Sequence, residues 1–255
     1  MTLTLTPLKN FPLVFPGQDL ADLIWQASQT ADLNLEDGDI FVIAQKIVSK
    51  SEGRLLNLNT IQPSAKAIEI ARITQKDPRF IELVLRESNA VLRTRPGTII
   101  VEHKLGFVCA NAGIDHSNVN GPWGDQNDWV LLLPENPDQS AHKIRETLEN
   151  LASCKLGIVI IDSHGRAWRM GIVGTTIGVS GVPALVDLRG TKDMFGYELR
   201  VTQVAAVDEL AAAASLVMGQ AAEGVPVVHV RGFPYPFRES HLGELIRPLD
   251  QDMFR

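Results

Sequence analysis

Apolar positions along the chain fall into short runs and helical stripes rather than one long block. Asp39-Ile-Phe-Val-Ile-Ala44 follows the turn-like Glu36-Asp-Gly-Asp39 and predicts a buried strand. Leu156 to Ile161 and Val225 to Val230 predict two more. Thr98 to Val101 and Gly106 to Ala110 read as paired strands around Glu102-His-Lys104. Helical spacing links Leu20, Leu23, Ile24 and Ala27 behind Asp19. Pro63-Ser-Ala-Lys66 opens a helix carrying Ile68, Ile70 and Ile73. Asp77-Pro78 starts another, with Phe80, Leu83, Val84 and Glu87 in register, since Asp suits an N-cap and Pro a first turn. Ala141 to Ala152 is amphipathic through Ile144, Leu148 and Leu151, and Val207 to Met218 is an Ala-rich helix. Residues 120–129 are a polar, turn-rich loop. Strands and helices alternate irregularly without repeats, which predicts an α+β (mixed α/β) chain of two interlocked subdomains with mixed sheets and no linker.

Composition narrows the class of protein but not the chemistry. The chain has 255 residues, 24 Lys plus Arg against 30 Asp plus Glu, a net charge of −6 and 45% hydrophobic residues. That apolar content excludes disorder, and the acidic balance argues against a nucleic-acid coat or a basic membrane-surface protein. No apolar run approaches the roughly 18 residues of a membrane span. Met1-Thr-Leu-Thr-Leu-Thr-Pro7 lacks the basic start and apolar core of a secretory leader, so a cytoplasmic location is expected. Cys109 and Cys154 stand alone in apolar settings and read as free thiols.

Candidate chemistry gathers where strands give way to polar residues. Leu156 to Ile161 runs into Asp162-Ser163-His164-Gly165-Arg166, which places an acid and a hydroxyl at a strand's carboxyl end, unless the segment is an ordinary turn or cap. His164 reads as a loop histidine. Phe107 to Ala110 leads likewise into Asn111-Ala-Gly-Ile-Asp115-His-Ser-Asn118. Two carboxylates from separate strand ends, with Ser and Asn oxygens nearby, suit magnesium or manganese and a phosphate substrate. In Val48-Ser49-Lys50-Ser51-Glu52-Gly53-Arg54, Lys50 and Arg54 either neutralise phosphate or form a solvated charged turn. Glycines at 165, 171, 174, 178 and 181 suit either a backbone wrapped round an anion or close chain packing. Gly219 or Gly224 can cap the helix ending at Met218. GxxxxGK[ST], strand-linked GxGxxG, GxSxG and HExxH are all absent.

Taken together the motifs are more specific. Ser49-Lys50-x-Glu52-Gly53-Arg54, Asn111-Ala-Gly-Ile-Asp115-x-Ser117-Asn118, Asp162-Ser163-x-Gly165-Arg166-x-Trp168-Arg169-x-Gly171 and Ile177-Gly-x-Ser-Gly181 follow in one order. Asp193-x-x-Gly196-x-x-Leu199, Asp208-Glu-Leu-Ala and Met218-Gly219 complete it. From about Leu8 to about Gly232 the chain resembles the coenzyme F-420 (deazaflavin) gamma-glutamyl ligase family. The resemblance implies a family-specific ligase fold without a standard phosphate loop, as one ligase unit over 1–255 and without a C-terminal reductase-like domain.

It implies a GTP-dependent ligase that joins L-glutamate by an amide bond to the carboxylate of the lactyl-phosphate tail of a deazaflavin precursor through an acyl phosphate, and that can add further glutamates through gamma-glutamyl bonds. It further implies two Mn2+ or Mg2+ ions, an assisting K+ and an intertwined homodimer. By that resemblance Asp115 and Asp162 hold the first cation, and Ser163 holds the second together with Gln220, where some members carry an acid. Lys50 and Asn118 match nucleotide contacts, as do Gln45 and Lys46, where some members have small hydroxyl residues. The stretches Lys9, Asn10, Phe11, Pro12 and Met218, Gly219, Gln220, Ala221, Ala222, Glu223, Gly224, Val225 match nucleotide-binding segments. Arg166 and Arg169 are assigned, with the two aspartates, to the reacting groups, gripping a phosphate or carboxylate. An amide ligase for another carboxylate and a non-catalytic GTP- or metal-binding protein are the competing readings. Bound cations and local basic residues can reverse the sign of an acidic protein at such a site.

Overall fold

Two apolar runs, 39–44 and 156–161, lie side by side at the centre of a five-stranded sheet. The structure is a computed structural model and describes residues 2–122 and 124–253, so Trp123 of the expected loop and Met1 of the N-terminal reading lie outside the described residues. In chain order the elements begin with β1 (Thr4–Pro7), α1 (Leu20–Thr30), β2 (Asp39–Ala44), α2 (Gln45–Ser51) and β3 (Leu55–Asn57). Next come α3 (Ala65–Thr74), α4 (Pro78–Arg86), β4 (Ser88–Arg95), β5 (Thr98–His103), β6 (Val108–Ala110) and β7 (Trp129–Leu131). The remainder is α5 (Pro137–Ala152), β8 (Leu156–Arg166), β9 (Arg169–Ser180), β10 (Val186–Asp187), β11 (Gln203–Val204), α6 (Ala206–Met218) and β12 (Val227–Arg231).

The large sheet has the order β1-β12-β2-β8-β9, with β2 and β8 parallel and the other neighbours antiparallel. Helices cover both faces, and that is why the runs 40–44 and 156–161 of its central strands show no polar alternation. Phe41, Ile43, Ile158 and Ile160 pack with α1 and α5 through Ile24, Ile144 and Leu148. Ile40, Val42, Val159 and Ile161 point the other way, onto Val207, Leu210 and Ala211 of α6. A further core joins α3 and α4 to β5 and the segment after β6, through Phe80, Ile81, Leu83, Ile99, Val101, Ala112 and Ile114. β4, β5 and β6 form a three-stranded antiparallel sheet, and β3 pairs with β7. The architecture is α+β, with mixed sheets.

Local capping follows the sequence closely. Asp19 accepts from the backbone of α1, Ser64 from α3 and Asp77 from α4. Other expectations are corrected. Residues 45–51 form a helix, and only Glu52-Gly53 of the segment 48–54 make a turn. β8 does not end at Ile161 but continues to Arg166, because β9 pairs with it after β2 stops. The glycine-rich stretch is a strand, and close packing explains its inner glycines. A Cβ on Gly174 would lie 2.5 Å from the Ala211 carbonyl oxygen of α6, and one on Gly178 would lie 2.6 Å from Pro137 of α5. A register shift around Ile177 turns these two glycines toward opposite faces.

Further differences concern burial and element ends. Trp129 is buried rather than part of a polar loop, and Ile68 and Ile73 are exposed while Ala67, Ile70 and Ala71 face the core. α5 starts four residues before Ala141, at Pro137 behind the cap Asn136, and β12 starts at Val227. Largely exposed β4 has only Val91 and Leu92 as large apolar residues, adjacent rather than alternating, and was not marked by the pattern. Both cysteines are free, as expected. Among the described residues, no helix is long and apolar enough to cross a membrane.

At the opposite end of the large sheet from the site described below, Asp39 is 1% exposed and accepts from Arg231 at 2.7 and 2.8 Å. His229 Nε2 lies 3.0 Å away, in ion-pairing range but outside hydrogen-bond geometry. Burial alone would raise the Asp39 carboxyl; Arg231 and His229 outweigh it and hold the group well below the usual carboxylate range.

A group whose folded value is depressed stabilises the fold above its unfolded value, about 3.9, and that contribution is lost as pH falls toward the folded value. The stability deficit of Asp39→Asn in denaturant titrations is therefore expected to be largest near neutrality. Below pH ~4 it should shrink by up to ~1.4 kcal/mol per pH unit. Gly174→Ala is expected to lower stability by about 1–3 kcal/mol, since backbone must move. Gly165→Ala, with nothing within 4 Å of its added carbon, should be close to neutral in the same titration.

Candidate active site

Ala44 of β2 pairs with Ile161 of β8, so the chain leaves both strands at one level of the sheet. From β2 it enters α2 at once, with Ala44 as the N-cap. Beyond Ile161 it reaches Asp162 and Ser163 while still paired to Thr175 and Gly174. The neighbouring strands end here too. Leu8 N–H donates to the Val227 carbonyl and Ala44 N–H to that of Pro226, which sets Lys9–Pro12 and Val225 at the same end.

Asp115 arrives from the smaller layer. After β6 the backbone makes a tight turn with Asn111 and Ala112 both at positive φ, and Asp115 then exchanges two backbone hydrogen bonds with Leu131. The face of α2 meets this carboxylate. Ser49 Oγ donates to Gln45 Oε1 at 2.9 Å, and Gln45 Nε2 donates to Asp115 Oδ2 at 2.8 Å, so one buried hydroxyl fixes which way the amide points. Lys46 Nζ stands 3.1 Å from the same Oδ2 and donates to Ser117. One turn on, Lys50 Nζ donates to the Asn118 carbonyl. Asn118 Nδ2 in turn donates to the Ala221 carbonyl at 3.0 Å, tying this segment to the loop after α6.

That loop begins at Gly219, the C-cap of α6, where a side chain would collide with Glu223. The Glu223 carboxylate accepts from Ala221 N–H, and backbone hydrogen bonding holds it below the usual glutamate range. Gln220 reaches back to the sheet: its Oε1 accepts from Ser163 Oγ at 2.9 Å and its Nε2 donates to Ser215 Oγ. The electrostatics are those of crowded like charges. Burial raises the Asp115 carboxyl above its ordinary range; Lys46 opposes this and the Asp162 charge adds to it. Burial, with the Lys46 charge, pushes the Lys50 ammonium down.

Asp115, Asp162, Ser163, Gln45, Lys46, Lys50, Asn118, Gln220 and Ala221 are thus linked at one sheet end by hydrogen bonds and charge. Arg166 and Arg169 are not brought there. They pair across the exposed far end of the β8–β9 hairpin, and Arg166 lies four residue steps along the strand from Asp162, about 13 Å. Arg54 points elsewhere: its guanidinium donates to the Leu133 carbonyl and to Glu87 at 2.6 Å.

His164 is the residue that sequence reasoning missed. It lies on a strand, nearly buried, with Nε2 3.0 Å from Asp162 Oδ2 but outside hydrogen-bond geometry. Its ring tilts against Phe107, which stacks on His103. Burial pushes the His103 imidazole down to about 4. Alternation along a strand continuing past Ile161 puts residues 162 and 164 on one face, and that signal was available.

Among the described residues, no three His, Cys, Asp or Glu side chains converge as a metal cluster. The donors here are two carboxylates, the Ser163 hydroxyl and the Gln220 amide oxygen, an all-oxygen set whose like charges favour a hard cation. A groove of about 720 Å³ on the other side of α2 is lined by Val48, Glu52, Asn136 and Lys143, away from both aspartates.

An α+β chain that gathers paired carboxylates, lysines and amides at one sheet end has the make-up of an enzyme for anionic substrates. The family profile described as F420-0:Gamma-glutamyl ligase matches residues 9–232. The chain is 45% identical over 257 residues, with all of both chains covered, to the coenzyme F420:L-glutamate ligase of Methanothermobacter thermautotrophicus. It is 47% identical to the protein of that name from Methanocaldococcus jannaschii, over 95% of this chain and 93% of the relative. The Archaeoglobus fulgidus protein of the same name is 40% identical over 100% of this chain and 97% of its own. The chain belongs to the F420-0:gamma-glutamyl ligase family.

Proposed function

We propose that this protein is a GTP-dependent acid–amino-acid ligase that joins L-glutamate to the deazaflavin coenzyme F-420 precursor. The observation that carries the reading is the meeting of Asp115 and Asp162 at one sheet end, faced by Lys46 and Lys50, in a chain similar throughout to proteins named coenzyme F420:L-glutamate ligase. A free carboxylate is a poor acylating agent. A carboxylate oxygen of the acceptor attacks the GTP γ-phosphorus, the bond to the β–γ bridging oxygen breaks with its electrons leaving on GDP, and an acyl phosphate forms. The glutamate amine then attacks the carbonyl carbon, phosphate leaves with the C–O bond electrons, and the amine gives up a proton.

Such transfer depends on positioning and charge neutralisation. Asp115 and Asp162 would hold Mn2+ or Mg2+, which supplies that neutralisation when bound. Ser163 and Gln220 offer oxygens to a second ion, with K+ as a further monovalent partner. Lys50 and Asn118, with the stretches Lys9–Pro12 and Met218–Val225, would cradle the nucleotide beside the sheet end. A neutral Gln220 is a weaker ligand than a carboxylate, so the second ion is expected to bind less tightly. The proposal extends to a cytoplasmic homodimer. The tip of the β8–β9 hairpin exposes Trp168 (88%) and Met170 (97%), and the loop between β10 and β11 exposes Phe195 (92%), apolar side chains that a second subunit would cover.

With GTP, Mn2+, L-glutamate and the non-glutamylated deazaflavin, mass spectrometry should show a product heavier by one glutamyl unit. Asp162→Asn should remain folded by circular dichroism and lose on the order of 100- to 1000-fold in turnover. Absence of product with every divalent metal, or full activity in that variant, counts against the reading. In sedimentation, the wild-type chain should run as a dimer and a Met170→Ser/Phe195→Ser variant as a monomer.

A further inference from the structure

The Lys46 ammonium has three oxygens around it: Asp115 Oδ2 at 3.1 Å, and the carbonyl and hydroxyl of Ser117, each at 2.9 Å. The two Ser117 contacts are hydrogen bonds and the Asp115 contact is an ion pair, and together they fix the ammonium beside the carboxylate. The carboxylate oxygen it contacts also accepts from Gln45, which leaves Oδ2 with one hydrogen-bond donor, one ion-paired cation and little room for another partner. Lys46 is therefore more than a loose surface charge. It is a monovalent cation seated on an aspartate that feels the neighbouring Asp162 charge, with Lys50 one helical turn away along the same face of α2.

We propose that Lys46 is an internal counter-cation that a divalent metal must displace from Asp115, and that nucleotide phosphate receives the displaced ammonium. The inference rests on the ligase reading above and adds an energetic coupling to it. A divalent ion alone has to break the Lys46–Asp115 contact and leave two cations close together, so it binds weakly. Phosphate oxygens bound beside α2 give the ammonium a new partner and free Oδ2 for the metal. Because coupling between two sites is reciprocal, the metal strengthens nucleotide binding by the same factor. The flexible four-carbon stem of lysine allows this exchange without movement of α2.

Mn2+ binding to the full-length protein, followed by electron paramagnetic resonance and calorimetry, tests the proposal. It is measured without nucleotide and with guanosine imidotriphosphate, a non-hydrolysable GTP analogue. Wild-type protein should bind Mn2+ more tightly when the analogue is present. Lys46→Met, which keeps the stem and removes the charge, should bind Mn2+ alone about tenfold more tightly, and the gain from the analogue should shrink by a similar factor. Lys46→Arg should keep the wild-type coupling. Lys46→Gln carries the same expectation as Lys46→Met and replaces it if the latter fails to fold by circular dichroism. Folded neutral variants that bind Mn2+ no more tightly than wild type overturn this inference alone. No Mn2+ binding by wild type, with or without the analogue, overturns it together with the cation role of Asp115 and Asp162.

Discussion

The parallel register of β2 against β8 sets the position of everything else. Because Ala44 lies opposite Ile161, α2 and Asp162 start from the same level of the sheet. A slip of one residue would carry Asp162 about 3.3 Å along the strand and onto the other face, out of reach of its present neighbours. The same register places Phe41 and Ile43 with Ile158 and Ile160 against α1 and α5, and their partners against α6. Each large side chain so buried contributes roughly 1.5–3 kcal/mol. Hydrophobic packing on both faces thus holds the polar end of the sheet in place.

At that end the difficulty is electrostatic. Asp115 is largely withdrawn from water and faces another carboxylate, a combination that disfavours its charge. The chain answers with neighbours on α2. Ser49 orients Gln45, Gln45 donates to Asp115, and Lys46 adds a positive charge to the same oxygen. A net charge of −6 therefore says little about the local field, where two lysines stand within one helical turn. Asn118 and Gln220 extend the polar network across to the loop after α6, so three distant parts of the chain are held by side-chain hydrogen bonds.

Much of this was legible in the residues. Asp19, Ser64 and Asp77 mark helix starts by their own chemistry, and the capped helices are where they were expected. The run Asp39–Ala44 matches β2 residue for residue, because a strand covered on both faces needs no alternation. Asp115 and Asp162 were singled out as acids following apolar strands. What misled was local polarity. Lys50 looks like part of a turn, yet 45–51 is helical, the turn is confined to Glu52-Gly53, and Arg54 pairs with Glu87. Glycine density suggested a ligand wrap, whereas Gly174 and Gly178 make space for helices from other parts of the chain. His164 was read as a loop residue because the strand's continuation depends on pairing with β9.

By itself the sequence determined the periodicities, the caps, the apolar strands and the order of motifs that marks the family. These rest on neighbours within a few residues, whose spacing is written directly into the chain. Only the tertiary structure decided that Asp115 and Asp162 meet, that Gln45 and Lys46 hold the first of them, and that Arg166 and Arg169 stand apart at a hairpin tip. Those relations join residues separated by tens of positions. They follow from strand register and helix packing, which no local spacing encodes.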